Sequence, residues 1–429
     1  MAAFEELATL PMPSEKEEVW RYTPIDDLHL DDYRPVQDEE RPQSALDDEM
    51  ARAFVAGVKR DLPERAAFVV VRDGRTTSIE RGALADSVVV AGLSGPQALG
   101  APSPGLGTVL EGGDALVRLN DAFHPDGVVL DVPAGTSVEA PVVIAHWCSG
   151  LSPDSAGTPH MAAPAAFPRV FVRVGRGSSA AVVEVIGGAP GDARAIVVPV
   201  TELEAGDGAR LAYVSLQVLG SGAWHIGRLA AAAGRDASLQ TFTVGLGGAY
   251  DRSRTDAAAK GQGATTALRS AYLGTGSQIH DVRTLQDHLA PHTTSDLLCK
   301  GAVAGSSRSV YSGLIRVRHG AVRTEAFQTN NNLVLDRRAH ADSVPNLDIE
   351  ENDVRCSHAS TVGPVDEDQR YYLESRGVPP ERAERLIVLG FFDDIVQRSP
   401  VPAAADRLRR EVGARLAGAL SADGEQPHG

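Results

Sequence analysis

Three textures of hydrophobic and polar spacing follow one another along the chain. In the first, apolar residues are sparse and the spacing is helical. Ser14-Glu15-Lys16-Glu17 has the form of a capping box, in which Ser and Glu satisfy free N–H groups at a helix start. Trp20-Arg21-Tyr22-Thr23-Pro24 ends that segment, because Pro24 disfavours helical geometry in the residue before it. A polar stretch over 31–43 leads to a second helical pattern over 45–59. The spacing predicts a helical N-terminal region over residues 1–66.

The second texture runs over 67–362. Short β-branched runs such as Phe68-Val69-Val70-Val71, Val142-Val143-Ile144 and Val170-Phe171-Val172 alternate with small-residue turns. Gly175-Arg176-Gly177, Gly206-Asp207-Gly208, Gly234-Arg235-Asp236 and Gly261-Gln262-Gly263 recur roughly every 28 residues, and later turns near Gly305, Gly320, Arg338 and Asn352 recur at about half that. Recurrence of a strand–turn unit is the mark of a solenoid. No amphipathic helix of crossover length interrupts the strands, which argues against a βαβ sheet. A sandwich of two stacked sheets is the competing architecture, but the body exceeds the ~200–250 residues that sandwiches reach.

The third texture, over 363–420, is helical again. A helix over 366–376 is closed by Gly377, suited to the left-handed position after a helix. Pro379-Pro380-Glu381 opens the next, whose apolar residues Ala383, Leu386, Ile387, Phe391 and Ile395 predict one stripe. Leu408, Val412, Leu416 and Leu420 repeat the pattern in a last helix, and 421–429 reads as a flexible tail. The fold class is mainly β, a solenoid core flanked by α-helical terminal regions.

A formal net charge of −16 disfavours a nucleic-acid partner. The three cysteines, Cys148, Cys299 and Cys356, lie far apart, which excludes a disulfide framework and a self-contained four-cysteine cluster or zinc site. The segment before Trp20 lacks the basic-then-apolar form of a signal peptide, and no apolar run approaches the ~20 residues of a membrane span. A cytoplasmic protein with reduced thiols, touching no membrane, is expected.

Candidate chemistry concentrates over 279–392. His288 and His292 have the spacing of a helical metal pair, but Pro291 breaks such a helix, so hydrogen-bonded loop histidines are expected. The amides of Asn330, Asn331 and Asn332 suit stacking inside a solenoid turn, bonded to the backbone of neighbouring coils. Val354-Arg355-Cys356-Ser357-His358 reads as a strand, and side chains two apart share a face. Cys356 and His358 therefore project together, a thiol and an imidazole suited to iron–sulfur or zinc chemistry. A buried thiol beside a satisfied histidine accounts for the same spacing. Cys148 and Cys299, in apolar contexts, read as core. No G-x-x-x-x-G-K-[ST], G-x-S-x-G or strand-to-helix G-x-G-x-x-G is present, so neither a P-loop ATPase nor a serine hydrolase is expected.

The stretch 288–392 resembles the SufB/SufD family of iron–sulfur cluster assembly proteins. The resemblance rests on His288 to Thr293 with Ser295, Lys300-Gly301-Ala302-Val303, Val310-Tyr311-Ser312-Gly313-Leu314-Ile315, Gln328 to Leu335 and Cys356-Ser357-His358. It continues through Asp366-Glu367-Asp368-Gln369, Tyr372 to Gly377 and Leu389-Gly390-Phe391. Two departures point to the SufD side of the family. Arg338-Ala339-His340-Ala341-Asp342 stands where SufB-like chains carry a cysteine, and Ala359 where they place Glu. Glu18 to Pro24 is similar to a segment near the start of SufD-like chains. The resemblance implies a right-handed parallel β-helix and a non-catalytic subunit that pairs with a SufB-like subunit through the β-helix. It also implies that a SufC-like ABC ATPase docks on the C-terminal helices, with Leu386, Ile387 and Phe391 in the docking region, and that a homodimer can form without SufB. His358 matches a histidine at the heterodimer interface, with Cys356 beside it, as transient ligands of a cluster shared with the partner; no cofactor is expected to stay bound. Two alternatives stay open: a purely structural subunit without metal ligands, and a polysaccharide-active β-helix protein.

Overall fold

In the computed structural model, which describes residues 10–36, 45–94, 106–110, 112–152 and 162–422, the recurring strands build two facing sheets. The tail beyond 422 and most of the polar stretch after Val36 lie outside the described residues. Every coil gives one strand to a twelve-stranded sheet and one to a ten-stranded sheet, and successive coils pair in parallel. Arg210–Gln217, for example, pairs without a register shift with residues 179–186 before it and Ser238–Gly245 after it. The architecture is the expected β-solenoid rather than a sandwich.

The strands alternate because one face fills the space between the sheets. Val142, Ile144, Val172, Leu203, Leu239 and Leu297 are buried there. The two outer faces differ. That of the ten-stranded sheet is apolar as well, with Val143, Phe242 and Leu273 covered by helices. These are α1 (Ala45–Asp61) on the N-terminal side and α3 (Glu367–Ser375), α4 (Pro380–Val396) and α5 (Ala405–Ala422) on the C-terminal side, with α2 (Ala115–Phe123) packed elsewhere. A sheet covered on both faces loses its polar alternation, which explains unbroken runs such as Val142-Val143-Ile144. Asp61 at the end of α1 accepts from Arg407 (2.7 Å) and pairs with Arg410 (2.8 Å) of α5, joining the two helical ends. None of the described helices is long and apolar enough to cross a membrane.

The glycine turns stack into a column. Gly177, Gly208, Asp236, Gly263, His292 and Arg323 occupy one corner of successive coils, all with φ between 54° and 74°. Each backbone N–H donates across to the following coil: Gly177 to Asp207 O (2.9 Å), Gly208 to Arg235 O (2.7 Å), Asp236 to Gln262 O (2.9 Å) and His292 to Val322 O (2.9 Å). The left-handed conformation aims these N–H groups along the solenoid axis, so the corner selects for glycine.

Three features depart from the sequence reading. Among the described residues before Tyr33 the chain forms only short 3₁₀ turns, at Glu18–Trp20, Ile25–Asp27 and Leu30–Asp32. The capping contact between Ser14 N and Glu17 Oε1 (3.1 Å) exists but starts no α-helix. Residues Tyr33–Pro35 instead add a strand to Ala163–Ala166. Second, α2 interrupts the β-body. Its N-cap Asp114 accepts from Leu116 and Val117, and buried Asn120 donates to Pro168 O (2.9 Å) and Val198 O (2.7 Å), filling the gap where prolines break the strands. Third, antiparallel strands seal the N-terminal end: Arg75–Arg81 on Ala67–Arg72, and Val89–Gly92 on Val128–Val132.

A Cβ at Gly208 would meet nothing within 4 Å, so Gly208→Ala tests the backbone alone. The variant is expected to lose about 1–2 kcal/mol in chemical denaturation, with Arg323→Gly neutral or slightly stabilising; equal midpoints for G208A and wild type would remove strain as the reason for glycine at this corner.

Candidate functional site

Toward its C-terminal end the solenoid interior turns polar. His288 closes strand Ile279–His288 and is buried, its Nδ1 2.7 Å from Thr293 Oγ1 and its Nε2 2.8 Å from Ser295 Oγ. It is not a loop residue, and it shares no site with His292, which sits exposed at the turn corner. Burial pushes the His288 imidazole down to about 4. One coil further on, in strand Glu325–Val334, Asn330 and Asn332 point inward and bond to each other (2.7 Å), and Tyr272 donates its hydroxyl to Asn332 Oδ1. These amides lie within a strand rather than a turn. Their bonds are chiefly between side chains, with a long one from Asn330 to Cys299 O (3.5 Å). Cys148 and Cys299 are buried as expected, and burial pushes the Cys299 thiol up to about 12.

The last coil consists of His340–Ile349 in one sheet and Arg355–Gly363 in the other, each the final strand of its sheet. Among the described residues nothing pairs with their outer edges. Cys356 lies in register with Ala326, and His358 with Gln328. Cys356 is half-buried against the cluster of Ile315, Val317, Ala321 and Ala326, and burial raises its thiol above the ordinary range. His358 shares the Cys356 face of the strand and is exposed. Beneath it, Gln328 is 1% exposed, and neither amide atom has a hydrogen-bond partner. Ser343 and Ser360 bridge the two strands at 2.7 Å. Around them Val344, Leu347, Ile349 and Val362 are exposed. These apolar edge residues were missed in the sequence, although Pro345 carried the signal: proline within a strand marks an edge. Among the described residues no group of three or more His, Cys, Asp or Glu could hold a metal ion.

On the C-terminal helices the buried stripe of α4 is Ala383, Val388, Phe392, Ile395 and Val396; of the stripe read from spacing, Ala383 and Ile395 are in it, and Leu386, Ile387 and Phe391 are not. Leu386 is exposed, while Ile387 and Phe391 are half-buried at the edge of the core. Phe391 is engaged from below: Lys300 Nζ lies 4.6 Å from its ring centroid, donates to Phe391 O (3.0 Å) and pairs with Asp394 (2.6 Å). Tyr371 and Tyr372 of α3 are also exposed, by 74% and 58%. The predicted closing glycine of α3, Gly377, is at φ 83°, and at the other end Asp366 caps the helix by accepting from Asp368 N and Gln369 N.

Two family models match the chain: the SufBD core domain of the SUF system for FeS cluster assembly over residues 158–391, and the SufBD protein N-terminal region over 1–144. The chain belongs to the SufB/SufD family. The iron–sulfur cluster assembly protein SufD of Escherichia coli is 25% identical over 96% of this chain and 92% of its own length. SufD of Bacillus subtilis is 31% identical over 68% of this chain and 65% of its own. A SufBD family protein of Mycobacterium tuberculosis is 38% identical over 48% of this chain, and the chain spans about half (54%) of that relative's length. The SufBD core match takes in the polar coils and Lys300 but ends at Phe391, before Phe392 and Ile395 seat α4 on the sheet.

Two outcomes are expected. Lys300→Ala should loosen α4 while the solenoid stays folded, seen as faster hydrogen exchange confined to residues 380–396; unchanged exchange there would show that Lys300 does not anchor the helix. For His288 the unfolded chain takes up a proton near pH 6.5 and the folded chain only near 4. Its neutral form is therefore without penalty above pH 6.5, and stability falls as pH drops from 6.5 to 4, by up to roughly 3 kcal/mol from this group. His288→Gln should flatten that part of the stability–pH curve in urea titrations.

Proposed function

We propose that this chain is a non-catalytic subunit of an iron–sulfur cluster assembly complex. It joins a SufB-like subunit through the open end of its solenoid and carries a SufC-like ABC ATPase on α3 and α4. The observation that carries this reading is the asymmetry of the two ends. The N-terminal end is sealed by antiparallel strands. Among the described residues the C-terminal end has two unpaired edges, four exposed apolar side chains and the unsatisfied Gln328 amide. A bare edge is a template for another strand. Arg355–Gly363 contains no proline, whereas Pro345 removes a donor from His340–Ile349, so the strand bearing Cys356 and His358 is the better edge for a partner.

The cluster is cargo. It needs about four soft donors, and this chain offers two at most. His358 is the freer of them, since an exposed neutral imidazole can bind metal directly. Cys356, packed on apolar side chains with its thiol held protonated, becomes a ligand only when the join shifts and uncovers it. Such a shift can come from the helices. α4 is bound through Lys300 to strand Thr294–Val303, which pairs with Glu325–Val334 and through it with the last strand. Movement of an ATPase on α3 and α4 is thus passed along one rigid sheet to His358. The nucleotide drives the change by differential contact in the closed state.

In co-expression with SufB-like and SufC-like subunits, Leu347→Glu with Val362→Glu is expected to abolish recovery of the SufB-like subunit while the ATPase is retained. His358→Ala should leave the three-subunit assembly intact and lower the cluster formed under anaerobic reconstitution at least roughly tenfold. Normal cluster yield from H358A would leave a purely structural subunit; an intact heterodimer in the double Glu variant would place the join elsewhere.

A further inference from the structure

On a chain of net charge −16, the outer face of the twelve-stranded sheet gathers arginines. Arg228, Arg254 and Arg283 occupy the same ladder position in three consecutive coils. Adjacent strands lie ~4.8 Å apart, and like charges directly opposite one another are destabilising. Carboxylates offset this only in part. Asp256 serves both Arg228 (2.6 Å) and Arg254 (3.1 and 3.2 Å), and Asp281 serves both Arg252 and Arg283 (2.5 Å). Each of these carboxylates is shared by two guanidiniums, whereas Arg316 has a partner of its own in Asp348 (2.9 Å).

A groove of about 490 Å³ opens over this face, lined by Arg252, Arg254, Arg283 and Arg316 against Asp256 and Glu18, with Leu285 and Leu314 as its apolar part. Arg254 and Arg316 remain about one-third exposed, at 33% and 31%. The N-terminal segment forms part of the lining and is fastened by the same arginines. Arg252 donates to Val19 O (2.8 Å) and lies 3.7 Å from the Trp20 ring centroid, and Arg283 donates to Arg21 O (3.1 Å). The next residue, Tyr22, is held at φ 70° with its side chain exposed. Backbone strain of that kind persists only where surroundings impose it, and it concentrates at ligand sites.

We propose that this groove binds a small molecule bearing two or more phosphate groups, with Arg254, Arg283 and Arg316 as its anion ligands and Leu285 and Leu314 against its less polar part. The planar guanidinium fork matches phosphate oxygens in pairs. The groove's size falls within the ~300–1,000 Å³ of small-molecule sites. The groove reaches Asn346 on the final strand His340–Ile349, but the assignment uses neither Cys356, His358 nor the C-terminal helices.

Calorimetric titration of the full chain with pyrophosphate at fixed ionic strength is expected to show one saturable site. Arg254→Gln and Arg316→Gln should each weaken it by roughly tenfold or more. Arg316→Lys, which keeps the charge but not the fork, should weaken it too, and Arg176→Gln, at an exposed turn between the sheets, should not. Mass-spectrometric mapping of phenylglyoxal modification is expected to show pyrophosphate shielding Arg254 and Arg316 in the unaltered chain, a readout independent of how the variants fold. No saturable binding, equal loss in R176Q, no shielding, or citrate binding as tightly as pyrophosphate would each overturn the assignment.

Discussion

Parallel pairing between coils is the constraint on which this molecule rests. In the inner coils each strand's N–H and C=O groups are satisfied by the coil before and the coil after, not by the strands next to it in sequence. A solenoid built this way has no intrinsic stopping point, so its two ends must be dealt with separately. One is closed by strands that reverse direction, Arg75–Arg81 and Val89–Gly92. The other is left with Cys356, His358 and a ring of apolar side chains in the open. Placement of the candidate chemistry follows from that difference.

The two outer faces divide the remaining work. Apolar residues such as Phe242 and Leu273 require a cover on the ten-stranded sheet, and helices from both ends of the chain provide it, tied at Asp61. The other sheet carries arginine–aspartate ladders on its outer face, and its apolar parts are covered by short segments, Trp20 and Ile25 over Tyr250 and residues 106–110 over Phe171. A helix seated on the first sheet is mechanically continuous with the last strand, because Lys300, Asn331 and Thr361 belong to consecutive strands and Asn331 accepts from Thr361 at 2.8 Å.

Much of this was legible in the residues. The glycine turns gave the coil period because left-handed φ at one corner is a local demand that only a few residue types meet, and Asp236, His292 and Arg323 show how the signal fades once other residues tolerate the same angle. Gly377 marked the end of α3 for a similarly local reason. The helix at 115–123 was missed: its role depends on Asn120 bridging carbonyls 48 and 78 residues away, which no local pattern encodes. In α4, Ala383 and Ile395 were read correctly, but Val388 and Phe392 take the buried places given to Ile387 and Phe391, because neighbouring apolar residues leave that choice to tertiary packing. Cys356 and His358 were found as a pair because alternation in a strand is robust. Their difference in exposure was not legible, as it depends on where the solenoid stops.

The sealed N-terminal end has a consequence for assembly size. Stacking of open-ended solenoids, once begun, would present a fresh edge at every addition and grow into filaments. Here the far end carries the reversed strands Arg75–Arg81 and Val89–Gly92, so a join made through Arg355–Gly363 would not be repeated from that end.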